Sequence, residues 1–233
     1  MTHVVALGIT TDGTNVPLSL REGSTENATV ATALLSDLTD RGLRLHEGQL
    51  LCSTAPRRSA RRSATWPAPG RRCSAACGTN ERNVLGHLPE RDRPLVRRRL
   101  RAAWALDDHD RALDQLRALA DELARTHPGA TASLREGMEE TLTVTRLGVS
   151  GALKRTLCST TPIESMIDTV RTIQRNVKRW RDGDMRLRWT AAGMAEAQRG
   201  SRRVKGHRDR PKLVPAIARE LNPTEELTTV LAA

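Results

Sequence analysis

The spacing of apolar residues changes character repeatedly along this chain. His3-Val-Val-Ala-Leu-Gly-Ile9 is a short continuous apolar run with β-branched members, which predicts a buried strand. Thr11-Asp-Gly-Thr14 reads as a turn, and Asn15-Val-Pro-Leu-Ser-Leu20 as the second arm of a hairpin. From Asn27 to Leu43 the period becomes helical, with Val30, Leu34, Leu35 and Leu38 on one face and Gly42 at the end. A second helical stretch runs from Arg91 to Gly148. Leu95, Leu100, Ala103, Trp104 and Leu106 form its first stripe, with Arg97 to Arg101 on the other side. Asp107-Asp-His-Asp110 supplies a cap for Ala112 to Arg125, where Leu113, Leu116, Leu119, Ala120 and Leu123 recur. His127-Pro-Gly129 ends that helix, and Ser133 to Leu142 is predicted as the next. From Gln174 onward, Val177, Trp180, Leu187, Trp189 and Met194 serve as anchors on a basic helical run that Gly183 divides in two. The stretch from 199 to 212 is polar and basic and reads as mobile, followed by a tail.

Residues 52–79 carry no period of either kind. They contain no Asp or Glu, and Arg57, Arg58, Arg61, Arg62, Arg71 and Arg72 are interspersed with Pro56, Pro67, Pro69 and Gly70. A basic disordered linker and a nucleic-acid-binding arm both fit that composition.

Composition narrows the picture. The chain has 233 residues, of which 38% are hydrophobic, with no Phe, no Tyr and four Trp. The core must rely on Leu, Val, Ala and Trp, and is expected to be loosely specified. Net charge is +11 with a pI near 10.9, nearly all of the excess being Arg. Arg binds phosphate bidentately, so nucleic acid is one source of selection for this charge. A GC-rich genome, which favours Arg codons and disfavours those for Phe and Tyr, is the other. No apolar run reaches the ~20 residues of a membrane helix, so the chain is expected to be cytoplasmic and without membrane partners. Cys52, Cys73, Cys77 and Cys158 are expected as free thiols. Cys73, Cys77 and His87 lack the fourth ligand and the spacing of a zinc site.

The chemistry concentrates in Cys158-Ser-Thr-Thr-Pro-Ile-Glu-Ser-Met-Ile-Asp-Thr-Val-Arg171. Pro162 suits the first turn of a helix capped by Thr160 or Thr161, which places Glu164 near the helix N-terminus. An ordinary capping carboxylate sits there, and so does a metal ligand. The segment resembles S-T-N-P-I-E-S-x-N-x-x-x-R of Mutator-like insertion-sequence transposases. The run ending Arg21-Glu-Gly-Ser-Thr-Glu-Asn27 resembles a second segment of the same family, and both lie in the expected order. The resemblance covers residues 1–51 and 81–215.

The resemblance implies an α/β protein: an incomplete RNase H-like core, a short β-hairpin plus helices, with an all-α insertion, mostly helical by residue count. It makes Glu164 the last metal ligand of a D-D-E triad and Arg171 its basic companion. Two Mg²⁺ ions would activate a water and then a 3′-hydroxyl for in-line attack on DNA phosphodiesters. Thr161 and Ile167 stand where the family has Asn, which removes amides that would orient the carboxylate. Arg175, Lys178, Arg179, Arg181, Arg186 and Arg188 form a basic face suited to phosphate contact without base readout. The partners implied are insertion-sequence ends and target DNA, with a homo-oligomer possible, in a nucleoid-associated setting.

The family text breaks inside the chain. Between residues 51 and 81 it should contain the second aspartate, in a segment like V-I-D-G-A-K-A-L-R-K, and then V-Q-R-C-x-x-H-K. Ser53 to Ser59 can be encoded by TCG ACG GCG CCA AGG CGC TCC, one choice among the synonymous codons, which from its third base reads D-G-A-K-A-L. Arg72 to Asn80 can likewise be encoded by CGG TGC AGC GCT GCG TGC GGC ACA AAC, which from its third base reads V-Q-R-C-V-R-H-K. With that choice of codons both missing segments return in one alternative frame. Two compensating indels, near residues 51 and 80, are therefore expected. The domains predicted are 1–51, the N-terminal part of the core; 52–80, a frame-shifted basic disordered segment; 81–150, a helical insertion; 151–200, catalytic-core helices; and 201–233, a basic tail. The first aspartate and the family's N-terminal DNA-binding region are expected to be absent, because the chain opens at a Met inside the first family strand. Three outcomes compete: an enzyme that still cleaves DNA, a non-catalytic DNA-binding fragment, and a relic without function.

Overall fold

The computed structural model describes residues 2–23, 28–44, 49–53, 71–75 and 77–221. The hairpin forms from β1 (Thr2–Ile9) and β2 (Asn15–Gly23), antiparallel with Val5 opposite Leu20. Its register slips between Ala6 and Leu7, which faces Pro17. Pro donates no ladder hydrogen bond, and a bulge accommodates it. The strand expected to be buried is half-buried, from Val4 to Ile9. Its alternate residues Val5 and Leu7 face one helical cluster, and the opposite face, which carries Ser19, is met by the helix that follows the hairpin. At the turn Asp12 accepts hydrogen bonds from the Thr10 and Thr14 hydroxyls. Those bonds, Thr10's first, hold its carboxyl down at about 2.

Helix α1 (Ala28–Asp40) buries Leu34, Leu35 and Leu38 as its period predicts. On its other side Asp37 accepts from the Ser19 hydroxyl at 3.0 Å and pairs with Arg21 at 3.2 Å. This carboxylate is tied into the surface of the hairpin.

A second sheet pairs β3 (Gln49–Ser53) with β4 (Arg71–Ala75) in parallel. Helix α2 then runs from Cys77 to Gly86. The irregular segment predicted over 52–80 is thus corrected at Cys52, Ser53, 71–75 and 77–80. Residues 54–70 lie outside the described residues. Backbone pairing needs no side-chain period, which is why β4 forms without one.

The helical insertion continues with α3 (Arg93–Ala105), α4 (His109–Ala124) and α5 (Pro128–Thr141). Leu100, Leu116, Leu119, Leu134 and Leu142 are fully buried in one cluster with Val84 and Ala112. Pro128 opens α5 rather than merely ending α4, because its missing N–H falls where a helix start leaves amides unpaired anyway. Leu95, placed on the apolar stripe by its spacing, is 49% exposed. The Trp residues contribute less than composition suggests. Only Trp104 is buried among those described, its indole donating to the Thr141 hydroxyl at 3.1 Å, while Trp189 is 39% exposed. Glu81 is the ionic centre of this unit, accepting from Arg97 at 3.1 Å and from both Nε and Nη2 of Arg101.

Short helices α6 (Thr143–Arg146) and α7 (Gly151–Leu157) lead to α8 (Thr161–Gln174) and α9 (Gly183–Arg199). The chain beyond 200, read as mobile and tail-like, folds back through helix α10 (Arg210–Leu221). Leu213, Ala216 and Ile217 join Val144, Leu147, Leu153 and Leu157 in a second core, against which Ile9 and Leu50 also pack. Short apolar spacing within a basic stretch hid that helix. The molecule is mostly helical, and no described helix is long and apolar enough to cross a membrane.

Candidate functional site

Helix α8 is placed by its apolar side. Met166 and Val170 pack with Met194 of α9, and Val5, Leu7 and Leu20 of the hairpin close the cluster. Gly193 lets the two helices approach, since a Cβ there would meet the Val170 Cα at 3.1 Å. The opposite face of α8 is left open as a shallow groove lined by Thr161, Glu164, Ser165, Asp168, Thr169 and Thr172.

Thr160 is the N-cap of α8, but its hydroxyl does not bond an orphan amide. It donates to Glu164 Oε1 at 2.6 Å instead, while the Glu164 amide donates to the Thr160 carbonyl at 2.9 Å. A capping box needs its acid three residues after the cap, and Glu164 lies four after. The carboxylate is therefore exposed and aimed into the groove by a hydroxyl.

Asp168, one turn further along, lines the same groove. The reading of the sequence missed it, although its i, i+4 spacing from Glu164 was visible. Arg171 bonds Asp168 through Nη1 at 3.1 Å, with both side chains exposed. The residue expected to await a phosphate thus already faces an acid. Two carboxylates from one helix are a sparse donor set. Among the described residues no group of three or more His, Cys, Asp or Glu converges. Residues 48–80 contain no Asp or Glu that could add a further ligand.

The basic run departs from the expected helical face. Helix α8 ends at Gln174, and residues 177–182 form no regular structure before Asp182 caps α9 by accepting from the Met185 amide at 2.6 Å. Arg175, Lys178, Arg179 and Arg181 therefore lie on the connection between the helices, where Arg181 meets Asp182 at 3.7 Å. Arg186 and Arg188 lie on α9, the Arg186 guanidinium 5.6 Å from the centre of the Trp180 ring. Gly183 is the first residue of α9 rather than a break inside a longer helix, because Asp182 supplies the cap.

A family model described as "Transposase, Mutator family" matches residues 1–198. The chain belongs to the Mutator family of transposases. The match spans the hairpin, the helical insertion, Glu164 and the whole basic connection, and stops short of α10. Membership makes DNA the expected partner of this Mutator-family transposase. Among curated proteins none matches the chain.

Proposed function

We propose that this chain is a transposase whose D-D-E site is incomplete, leaving a DNA-binding protein without strand-transfer activity. The observation that carries this reading is the donor set: among the described residues Glu164 has Asp168 of the same helix beside it and no third ligand converging, and Asp168 is engaged with Arg171. A two-metal site needs carboxylates from separate elements to bridge ions ~3.5–4 Å apart. Mg²⁺ takes near-octahedral oxygen ligands and tolerates few protein donors only when they converge. The residues present do not fit that group, so no metal-dependent step is assigned to them. The hairpin and the parallel β3–β4 pair are read as parts of one RNase H-like sheet that is not closed.

The proposal includes the frame change. It expects one base gained or lost at each end of codons 51–80 to restore D-G-A-K-A-L and V-Q-R-C. Sequencing the gene decides this: stop codons or unrelated residues in the alternative frames would refute it.

Strand transfer tests the function. Purified protein incubated with Mg²⁺ and a labelled insertion-sequence end is expected to yield no joined product, and Glu164→Gln to behave like the parent. Mg²⁺-dependent cleavage that disappears in Glu164→Gln would show a working site and overturn the proposal.

A further inference from the structure

Three thiols approach the end of α7. Cys77 opens α2, and its amide donates to the Cys158 carbonyl at 3.1 Å. That bond sets two residues from distant parts of the chain side by side, consistent with the ~4.4–6.8 Å Cα separation a disulfide requires. The Cys77 thiol is buried, and the Cys158 thiol is half-buried at the junction of the two cores. Exposed Cys52 of β3 reaches the adjacent Leu157 carbonyl at 3.4 Å. Close by, Lys154 is buried, its ammonium bonded to the Leu106 carbonyl and 3.4 Å from Asp107.

We propose that Cys77 and Cys158 are an oxidisable dithiol, a modification site that links the helical insertion to the segment leading into the Glu164 helix. The electrostatics agree with the roles. The Cys158 thiol is held below its ordinary value, first by its hydrogen bond with Cys77 and then, against the opposing effect of burial, by the Lys154 ammonium. Cys77 is pushed up by the same hydrogen bond and by burial. Cys158 is therefore the nucleophile and Cys77 the resolving thiol.

A hydroperoxide is the oxidant. The Cys158 sulfur attacks one peroxide oxygen, the O–O bond breaks, and a sulfenic acid and water form when hydrogen peroxide is used. The Cys77 sulfur then attacks the Cys158 sulfur, the S–O bond breaks, and the hydroxyl leaves as water with the Cys77 proton. Two thiols are oxidised, one peroxide is reduced, and two waters are released. Cys158 lies three residues before the first residue of α8, so the bond fixes α2 to the base of the groove.

The full chain is treated with hydrogen peroxide, free thiols are alkylated, and the protein is digested without reductant. A Cys77–Cys158 peptide is expected, with two of the four cysteines lost to alkylation. The unfolding temperature is expected to rise by about 5 °C or more and to return with dithiothreitol. Cys77→Ser, checked for folding by circular dichroism, is expected to lose both effects. Full alkylation of Cys77 after peroxide, or a Cys158 link to Cys52 or Cys73 in the parent chain, would overturn the proposal.

Discussion

Raising salt from 50 to 200 mM is expected to weaken binding of this chain to duplex DNA about a thousandfold. The motive is the stretch from Arg175 to Arg188, which presents six basic side chains, four on the connection and two on α9. Arg175, Lys178, Arg179 and Arg188 form no salt bridge among the described residues and are exposed, so their charge is available to phosphates. Each phosphate neutralised releases condensed counterions, and log affinity falls against log salt with a slope near −0.9 per contact. Six contacts over a fourfold change in salt correspond to that factor of about a thousand. Four of the six lie on the irregular connection and Arg186 and Arg188 on α9, so no single helix face carries the contacts, and the binding is expected to be indifferent to sequence. Fluorescence anisotropy with two unrelated duplexes, across a salt series, measures both points. Lys178→Ala and Arg179→Ala are each expected to reduce the slope by about one unit. An affinity that does not move with salt, or that prefers one duplex strongly, would remove the electrostatic account.

Gly206→Ala is expected to destabilise the protein by roughly 2–5 kcal/mol. Gly206 adopts φ +82, where an added Cβ costs about 1–2 kcal/mol. That Cβ would also overlap the backbone of Ala152 and Leu153, and backbone cannot turn aside as a side chain can. Overpacking of this kind adds about 1–3 kcal/mol. The glycine sits in a strap that holds three elements together. The Val204 amide bonds the Gly13 carbonyl at 2.9 Å, the Thr156 hydroxyl bonds the Lys205 carbonyl at 3.0 Å, and Arg210 bonds the Ile9 carbonyl at 2.9 Å. The midpoint of thermal unfolding should drop by about 5–15 °C. Gly200→Ala is the control, since Gly200 has φ −83 and its nearest neighbour to an added Cβ is 3.9 Å away. Equal midpoints for the two variants would show that the strap carries no stability.

Periodicity carried the elements whose burial is local. The leucines of α1, α3 and α4 repeat at helical spacing because one face of each helix meets a core, and Leu34, Leu100, Leu116 and Leu119 lie where that spacing puts them. The hairpin was legible from its turn residues and apolar arms, and Glu164 from the family text around it. Where the period fails, sequence reasoning failed too. Strand β4 is held by backbone pairing with β3, which leaves no mark on side-chain order. The sequence reads as a tail at helix α10 because Arg210, Lys212 and Arg219 mask the Leu213, Ala216 and Ile217 stripe, whose partners lie some sixty residues earlier.

The sequence by itself determined the family, the helical insertion, the excess of Arg and the absence of acids over residues 48–80. Only the tertiary structure decided what surrounds Glu164. It showed Thr160 orienting the carboxylate, Asp168 beside it, Arg171 turned to that acid, and no third ligand converging among the described residues. It also brought Cys77 against Cys158. The physical reason is one of range. Secondary structure follows from contacts within a few residues, which a sequence displays directly. A ligand set or a thiol pair depends on how separate elements pack, and that is settled by which apolar faces meet.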